Sequence, residues 1–339
     1  MNRILREDYE RILKDITPSF RNMAGKQLFI TGAAGFIGSY LMGLFAFANE
    51  FYFENSCKVT GYDTMIAPSR VVRGRDVDLL QADKAIAYCG INTDYYIHLA
   101  SIASAKVYLE RPLDCIDANV GGTRDVLELA RHGDKCQSVL HFSSVQVYGD
   151  PQVVPTPEDY LGNCDFNGVN APYDESKRLS ETLCQIYWRM YGVPVKVVRP
   201  FNIYGPGENL DDGRIIPNLM KCCFSDEPFK IYGSGRSTRS FLYISDAIVQ
   251  SMAVLLDGNN GEAYNVGDGD NEISLTSLAY LAYTAITSLE SEYVSNPARE
   301  TVTRRRPVTT KIEALAGRPK VSLADGLART YCYYGLERD

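Results

Sequence analysis

The chain has 339 residues, of which 45% are hydrophobic and 23% charged, and its formal net charge is −7. This composition predicts a globular protein with a sizeable core and disfavours a nucleic-acid binder, which would carry a basic face. No apolar run reaches the roughly 20 residues that cross a bilayer, and the highly charged amino terminus is unlike a secretory signal. The nine scattered cysteines and three histidines form no zinc pattern. We expect a reduced, cytoplasmic protein without a metal or a membrane anchor.

Apolar spacing predicts an amphipathic helix at residues 3–16. A compact apolar strand at 27–31 then runs directly into a glycine-rich turn and a helix, and a second strand begins at Lys58 and closes on Asp63. Further strands are predicted at 95–99, 138–142 and 195–198, and helices at 117–131 and 174–191. Strands that alternate with helices predict an α/β fold of Rossmann type, with a doubly wound parallel sheet covered by helices on both faces.

The spacing of elements also suggests how the chain is divided. We expect an N-terminal helical extension at 1–24 and an NAD-binding domain at 25–200, with a return segment near 237–258. After Pro200 the pattern becomes irregular, with many Gly and Pro turns. Residues 201–339 are therefore expected to form mainly a smaller C-terminal substrate-binding lobe.

The turn after the first strand carries Gly32, Gly35 and Gly38 in a G-x-x-G-x-x-G spacing that includes Phe36 and Ile37. Glycines let the backbone approach a pyrophosphate, and the N–H groups of the following helix stabilise its charge. A tight turn without a ligand is the alternative. The position of the turn between a strand and a helix favours dinucleotide binding.

Asp63 follows the second strand, where a carboxylate accepts hydrogen bonds from the adenosine ribose and repels a 2′-phosphate. This favours NAD over NADP. Arg70, Arg73 and Arg75 lie downstream and leave NADP open, although an exposed basic loop is the simpler interpretation.

Tyr173 and Lys177 form a Y-x-x-x-K pair on one face of a predicted helix. There an ammonium lowers the pKa of the neighbouring phenol and can hold the nicotinamide ribose, so that tyrosinate takes a proton from a sugar hydroxyl. With 23 tyrosines, about one such pair arises by chance. The context is supplied by Ser144, at the carboxyl end of a strand, where its hydroxyl faces the ligand crevice; a helix cap is the alternative role.

Several motifs occur together and in order: the glycine turn, 99–101 (Leu-Ala-Ser), Asn119, Ser144, the Y-x-x-x-K pair and 199–206 (Arg-Pro-Phe-Asn-Ile-Tyr-Gly-Pro). In these the chain resembles the extended short-chain dehydrogenases/reductases, in particular the NAD-dependent nucleotide-sugar epimerase/dehydratase family. Within that family it is most similar to the UDP-glucuronate decarboxylases, through 148–151, 157–162, 173–178, 211–214, 231–235 and 238–241. The resemblance covers nearly everything from Lys26 to about Gly335.

The resemblance implies further site residues. Additional contacts to NAD are expected from Leu99, Ala100, Ser101 and Asn119, besides Tyr173 and Lys177. It also implies a shared first step, in which the tyrosine deprotonates the sugar C4 hydroxyl, NAD takes the C4 hydride and a 4-keto intermediate forms. A homodimer built from the helices that carry Asn119 and Tyr173 is expected on the same ground.

Two residues depart from the family pattern. An Asp-Glu pair follows the catalytic Ser/Thr in the 4,6-dehydratases and a Ser-Glu pair in the decarboxylases, whereas this chain has Val145 and Gln146. Glutamine keeps the shape of glutamate but cannot exchange a proton at physiological pH. Gln146, counted among the catalytic positions, therefore disfavours elimination. It leaves open decarboxylation, which needs less acid/base help, and 4-epimerisation, which needs no acid here.

The nucleotide diphosphate calls for arginines, whose forked donors match phosphate oxygens. By resemblance the substrate-binding residues are Asn202, Arg214, Tyr232, Arg239 and one of the run 304–306, for which we choose Arg305. A solvated surface loop is the alternative for that run. A non-catalytic dinucleotide-binding sensor or scaffold remains the rival function of another class, and Gln146 is the residue that supports it.

Overall fold

The computed structural model describes residues 1–67, 72–81, 92–225, 227–232, 234–286, 291–294 and 304–336. The strands are β1 (Gln27–Thr31), β2 (Lys58–Asp63), β3 (Val77–Gln81), β4 (Tyr95–His98), β5 (Ser138–Phe142), β6 (Val195–Pro200), β7 (Ile203–Tyr204), β8 (Phe229–Tyr232), β9 (Thr238–Ser240), β10 (Leu242–Tyr243), β11 (Ala263–Val266), β12 (Glu272–Ser274), β13 (Ser291–Val294) and β14 (Arg304–Arg305).

The helices are α1 (Arg3–Asp15), α2 (Phe36–Phe51), α3 (Ala105–Glu110), α4 (Pro112–Ile116), α5 (Gly122–His132), α6 (Ala171–Tyr191), α7 (Ile215–Cys223), α8 (Ile244–Asp257), α9 (Leu275–Ala285), α10 (Thr310–Ala316) and α11 (Leu323–Leu336). A π-helical turn (Asp117–Gly121) joins α4 to α5, and short 3₁₀ helices span Pro18–Met23 and Val145–Tyr148. None of the helices within the ranges given above is long and apolar enough to cross a membrane.

Seven strands form one parallel sheet in the order β11-β6-β5-β4-β1-β2-β3. The order reverses between β1 and β4, so a crevice opens at the carboxyl ends of these strands, where doubly wound folds bind ligands. The predicted Rossmann-type fold is confirmed. Of the sheet strands, β3 and β11 had no counterpart among the predicted elements, and β11 lies beyond the return segment expected near 237–258.

The amphipathic helix α1 packs against the helices α2, α8 and α11, and a buried carboxylate lies in this contact. Asp8 is fully buried and accepts hydrogen bonds from the hydroxyls of Tyr40 (2.9 Å) and Tyr243 (2.7 Å). Its other oxygen faces Arg329 of α11, whose Nη2 lies 2.7 Å away. Asp8 therefore joins α1, α2, the start of α8 and α11 in one cluster, called the Asp8 hub below.

A small three-stranded sheet, in the order β12-β9-β14, stands beside the crevice. In its parallel β9–β14 pair, Arg305 is the direct partner of Arg239. Directly opposed residues of neighbouring strands have their side chains close together. The pairing therefore brings two arginines, 66 positions apart in the sequence, to one place at the mouth of the crevice.

Candidate active site

The glycine turn is shaped by close backbone approaches. Gly32 has φ +70°, and a Cβ there would stand 2.7 Å from the backbone of Leu99 and Ala100 at the end of β4. A Cβ on Gly38 would overlap the carbonyl oxygen of Gly32. Gly35 is the N-cap residue of α2, and it makes no side-chain hydrogen bond to the first amides of this helix. Such a terminus fits a pyrophosphate.

Asp63 lies at the carboxyl end of β2 and is partly buried. Its Oδ2 accepts a hydrogen bond from the Ala34 amide of the glycine turn (2.9 Å). The carboxylate is thereby held beside the turn, as an adenosine ribose would require. Arg73 and Arg75 are exposed, with Arg75 3.8 Å from Asp76, and Arg70 lies outside the described residues.

Tyr173 and Ser144 meet across the crevice. Ser144 caps the short helix after β5, where its hydroxyl accepts a hydrogen bond from the Gln146 amide (3.2 Å), and both Ser144 and Tyr173 line the same cavity. Tyr173 is 6% exposed and stacks on Tyr108, with ring centres 5.2 Å apart. Burial raises the pKa of the Tyr173 phenol, and the Ser144 hydroxyl opposes the rise.

Lys177 lies one turn after Tyr173 on α6 and is 3% exposed. Its Nζ is 6.0 Å from the centre of the Tyr173 ring and donates to the carbonyl oxygen of Phe142 (2.8 Å). Burial lowers the pKa of Lys177 to about 8. Burial is the main influence on the pKa of the Tyr173 phenol, and the lowering of that pKa by the Lys177 ammonium stays a prediction.

These side chains line a cavity of about 380 Å³. The predicted residues on its wall are Phe36, Ile37, Leu99, Ser101, Ser144, Gln146, Tyr173, Lys177, Asn202, Arg214, Arg239 and Arg305. The Ser101 hydroxyl is buried without a hydrogen-bond partner, which leaves a polar atom available to a ligand. Gly32, Gly35, Gly38, Asp63, Ala100 and Asn119 are not on this wall.

Asn119 is buried behind the wall in the π-helical turn. Its Nδ2 donates to the Ser176 hydroxyl (2.8 Å), and this hydroxyl donates to the Tyr173 carbonyl (3.0 Å). The Ser180 hydroxyl donates to the Asn119 carbonyl (2.9 Å). Asn119 thus fixes α6, the helix that carries Tyr173, rather than pointing into the cavity.

A second network holds the strand end that carries Ser144. The Ser143 hydroxyl donates to Glu181 (2.5 Å), whose carboxylate is also paired with Arg199 (2.6 Å). Arg199 in turn donates to the Tyr148 hydroxyl (2.8 Å). These charges border a separate cavity of about 560 Å³ behind α6. Because they satisfy one another, they serve to position the neighbouring Ser144.

The three consecutive arginines have different partners. Arg304 is paired with Glu272 (2.6 Å), and Arg306 Nε donates to the Gly269 carbonyl (2.5 Å). Arg305 faces the cavity, where its Nη2 donates to Gln146 Oε1 (2.5 Å). Of the three, Arg305 is the one that the structure places with the predicted site.

Two further arginines surround the same space. Burial and the neighbouring Arg305 lower the pKa of Arg239 to about 10. Arg214 is paired with Asp212 (2.5 Å) and with the buried Glu208 (3.3 Å), which together hold its pKa above the ordinary value despite burial. Asn202 donates to the Ser240 carbonyl (2.8 Å). The side chain of Tyr232 lies outside the described part of the chain.

Three features of the site were missed by sequence reasoning. Tyr108 stacks on Tyr173 from a helix that no motif marked. Asp174 was read only as part of a matched stretch, yet burial raises the pKa of its carboxyl to about 7. His98 and His141 are direct partners in the β4–β5 pair and stack 5.5 Å apart, and burial and the Lys177 charge lower the pKa of both. Their place in apolar strands was the available signal for burial.

Sequence comparisons agree on one family. A family model described as "NAD dependent epimerase/dehydratase family" matches residues 28–267. UDP-glucuronic acid decarboxylase 1 of Danio rerio is 32% identical over 318 residues, covering 92% of this chain and 73% of the relative. UDP-glucuronic acid decarboxylase 5 of Arabidopsis thaliana is 33% identical over 312 residues, covering 89% and 87%.

Solved structures give the same picture. A dTDP-glucose 4,6-dehydratase from Streptomyces venezuelae, with NAD bound, superposes with a TM-score of 0.80 at 26% identity and covers 92% of this chain and 98% of its own. A UDP-glucuronic acid 4-epimerase from Bacillus cereus, in complex with UDP-glucuronic acid and NAD, has a TM-score of 0.79 at 25% identity and covers 92% and 99%.

Proposed function

The chain belongs to the NAD dependent epimerase/dehydratase family, and from this premise we propose that it oxidises C4 of a nucleotide-linked hexuronate through Ser144, Tyr173 and Lys177. It is an NAD-dependent enzyme that modifies nucleotide sugars. The observation that carries the finer proposal is one cavity in which Ser144, Tyr173, Lys177 and the partly buried Arg305 share a wall.

The residues present fit NAD. The amides at the start of α2 suit the pyrophosphate, and Asp63 suits the adenosine ribose. The Ser101 hydroxyl, which has no hydrogen-bond partner, and the Lys177 ammonium line the cavity where the nicotinamide end of NAD is expected. When bound, NAD supplies the acceptor for the C4 hydride and later returns it.

The protein's own residues move the proton. Ser144 holds the C4 oxygen near the phenol, and Tyr173 takes its proton as tyrosinate. Burial alone works against this ionisation, because it raises the pKa of the phenol. Two cations on the cavity wall offset the charge: the Arg214 guanidinium, which lowers the pKa of the phenol, and the Lys177 ammonium, which donates to the Phe142 carbonyl in this structure. The product of the first half-reaction is a 4-keto sugar.

We propose that the second half-reaction is decarboxylation. A 4-keto hexuronate is a β-keto acid, so it loses carbon dioxide while the bond electrons move into the C4 ketone, and C5 then takes a proton. Gln146 cannot supply that proton. Arg305, held by Gln146, faces the sugar and can bind the carboxylate before it leaves.

The alternative outcome is 4-epimerisation, and the amide of Gln146 is the observation that favours it. In this reaction the ketone turns in the pocket and takes the hydride back on its other face, so no acid is required at position 146. A Gln146→Glu variant separates the two outcomes. A decarboxylase should gain carbon dioxide release by about fivefold, whereas a 4-epimerase should keep its product.

Mass spectrometry of the products from UDP-glucuronate decides the reaction type. Loss of 44 mass units, the chemical mass of carbon dioxide, supports decarboxylation, and an unchanged mass with altered chromatography supports epimerisation. Tyr173→Phe should abolish either product. If no nucleotide sugar is converted by the parent enzyme, the catalytic proposal is wrong and the sensor or scaffold takes its place.

We also propose a homodimer. Apolar side chains on α4 and α6 are exposed in the single chain: Leu113 by 73%, Ile116 by 37%, Leu179 by 47%, Ile186 by 39% and Met190 by 68%. A second copy would bury this face. A monomeric mass by light scattering would contradict this arrangement. The eight described cysteines are free thiols, which supports our proposal of a reducing compartment such as the cytoplasm.

A further inference from the structure

The Arg305 guanidinium is an unusual group in the wall of the cavity. Its Nε is buried without a hydrogen-bond partner, while Nη2 is held by the neutral amide of Gln146. Among the described residues, no carboxylate oxygen lies within 4 Å of a nitrogen of the Arg305 guanidinium, the distance that defines an ion pair. Burial lowers the pKa of Arg305, and Asp174 is the charged group that counteracts this most.

Asp174 is the complementary group. Its carboxyl is 8% exposed, and Oδ1 is buried without a hydrogen-bond partner. Arg305 is the charge that acts on it most strongly. A buried acceptor atom and a buried donor atom, each without a hydrogen-bond partner, thus belong to two side chains that are each other's dominant charged neighbour without an ion pair between them.

The remaining ionisable neighbours act less strongly on this pairing, and among them Asp150 is the second carboxylate that acts on Arg305. The groups around the Asp174 carboxyl are Arg305 from β14, Glu175 and Arg178 from α6, the phenols of Tyr108 and Tyr173, and the thiols of Cys115 and Cys164. Glu175 and Arg178 have opposite charges and lie 3.5 Å apart. The phenols and thiols have raised pKa values because of burial and are neutral near pH 7.

We propose that Asp174 is a positioning residue that acts through Arg305 and sets how strongly the pocket prefers a nucleotide sugar with a carboxylate over one with a neutral hydroxymethyl group. The inference rests on the proposed function. With Asp174 protonated, the Arg305 charge loses its strongest compensating neighbour and attracts the sugar carboxylate more strongly. With Asp174 ionised, the two side chains compensate each other and the attraction falls.

The direction of the pH dependence follows from the raised pKa of Asp174, about 7. Below this pH the carboxyl is mostly neutral, and above it mostly charged. The preference for the acidic sugar is therefore greatest at low pH and declines as pH rises through 7. The pKa of Lys177, about 8, lies at the upper edge of this window, so measurements from pH 5.5 to 7.5 report mainly on Asp174.

The test is calorimetric binding of UDP-glucuronate and UDP-glucose to NAD-loaded Tyr173→Phe protein, which cannot turn over. We expect the ratio of the two dissociation constants to change by about tenfold between pH 5.5 and 7.5. Adding Asp174→Asn should make the ratio independent of pH. Glu175→Gln, on the same helix, is the matched control and should keep the parent profile.

The inference would be overturned if the ratio of the two dissociation constants did not change with pH in the Tyr173→Phe protein. It would also be overturned if adding Asp174→Asn left the pH dependence of this ratio unchanged. If Asp174→Asn does not fold, carbon NMR of the Asp174 carboxyl in the parent replaces it. Its pKa should rise when UDP-glucuronate binds and stay constant with UDP-glucose, and identical titrations would refute the coupling. Because no turnover is involved, a missing product in the mass-spectrometric assay would refute the proposed function without touching this result.

Discussion

The Asp8 hub and the catalytic cavity both bury charge, yet they surround it differently. In the hub, the Asp8 carboxylate receives two tyrosine hydroxyls and the guanidinium of Arg329. In the cavity, Lys177 donates to one backbone carbonyl, and within the described ranges no carboxylate lies within 4 Å of its Nζ.

The difference indicates what each region does. A buried charge whose partners are all supplied by the protein holds elements together, since removing one partner leaves the others unsatisfied. A buried charge without a protein counter-charge costs stability and persists where a ligand or a reaction uses it. The hub should therefore respond to mutation in stability, and the cavity in activity.

Lys177→Met is expected to have the largest effect. Losing the ammonium should lower kcat about a thousandfold, because the tyrosinate loses one of its counter-charges. The same change removes a buried charge, so the free energy of unfolding should rise by about 1 to 3 kcal/mol. Steady-state kinetics and urea unfolding measure the two effects.

Lys196→Met is the matched control for this variant. Lys196 is also buried, with a pKa lowered to about 8 by burial, but it donates to Ser138 and Leu255 away from the cavity. Its replacement should leave kcat unchanged. Equal loss of activity in both variants would contradict a catalytic role for Lys177.

Asp8→Ala should reverse the pattern. It leaves the Arg329 guanidinium and the hydroxyls of Tyr40 and Tyr243 without their acceptor, so we expect a loss of about 3 to 4 kcal/mol of unfolding free energy. The kcat of the remaining folded enzyme should stay within twofold. Urea unfolding gives the first number, and active-site-normalised kinetics the second. An Asp8→Ala variant that is stable but inactive would contradict the assignment of stability to the hub and activity to the cavity.

The pH dependence of stability sharpens the comparison further. The folded-state pKa of both Lys177 and Lys196 is about 8, below the ordinary 10.5, so between these values the unfolded chain binds more protons. Unfolding free energy should therefore rise with pH in this window, by at most about 3 kcal/mol for each lysine. The Lys177→Met/Lys196→Met double variant should lack this rise in denaturant unfolding.

Asp257→Asn should have the smallest effect. Asp257 accepts hydrogen bonds from Thr17 (2.5 Å) and Ser19 (2.6 Å), which attach the connector after α1 to the end of α8. These contacts are exposed, so about 0.5 to 1 kcal/mol of stability should be lost. A loss as large as that of Asp8→Ala, measured by the same urea unfolding, would show that burial is not what distinguishes the hub.

Local sequence patterns were enough to predict the Rossmann sheet and its turn. Strand β1, the glycines after it and Asp63 lie within 37 consecutive positions, and each is marked by apolar runs or by spacing. Strand β3 escaped prediction because it is half exposed at the edge of the sheet and lacks an apolar run. The helix expected from Asp117 begins earlier, at Pro112, because α4 continues into the π-helical turn.

The candidate site was predictable where its residues belong to a local motif or to a stretch that matches the family. Ser144, Tyr173 and Lys177 were singled out in this way, and their roles remain proposals. The contact between Gln146 and Arg305 joins residues 159 positions apart, and it depends on the β9–β14 pairing, for which no spacing rule exists. The ionisation of Asp174 depends on burial by other elements, which a linear pattern does not contain.

The Asp8 hub also constrains the order of events during synthesis. Its contact with Arg329 spans 321 positions, so α1 leaves the ribosome long before α11 exists. Until then, the Asp8 carboxylate must remain hydrated, and α1 cannot complete its docking on the nascent Rossmann domain. Contacts of such large sequence separation form late and slowly. Helix α1 is thus fully secured only after α11 has been synthesised.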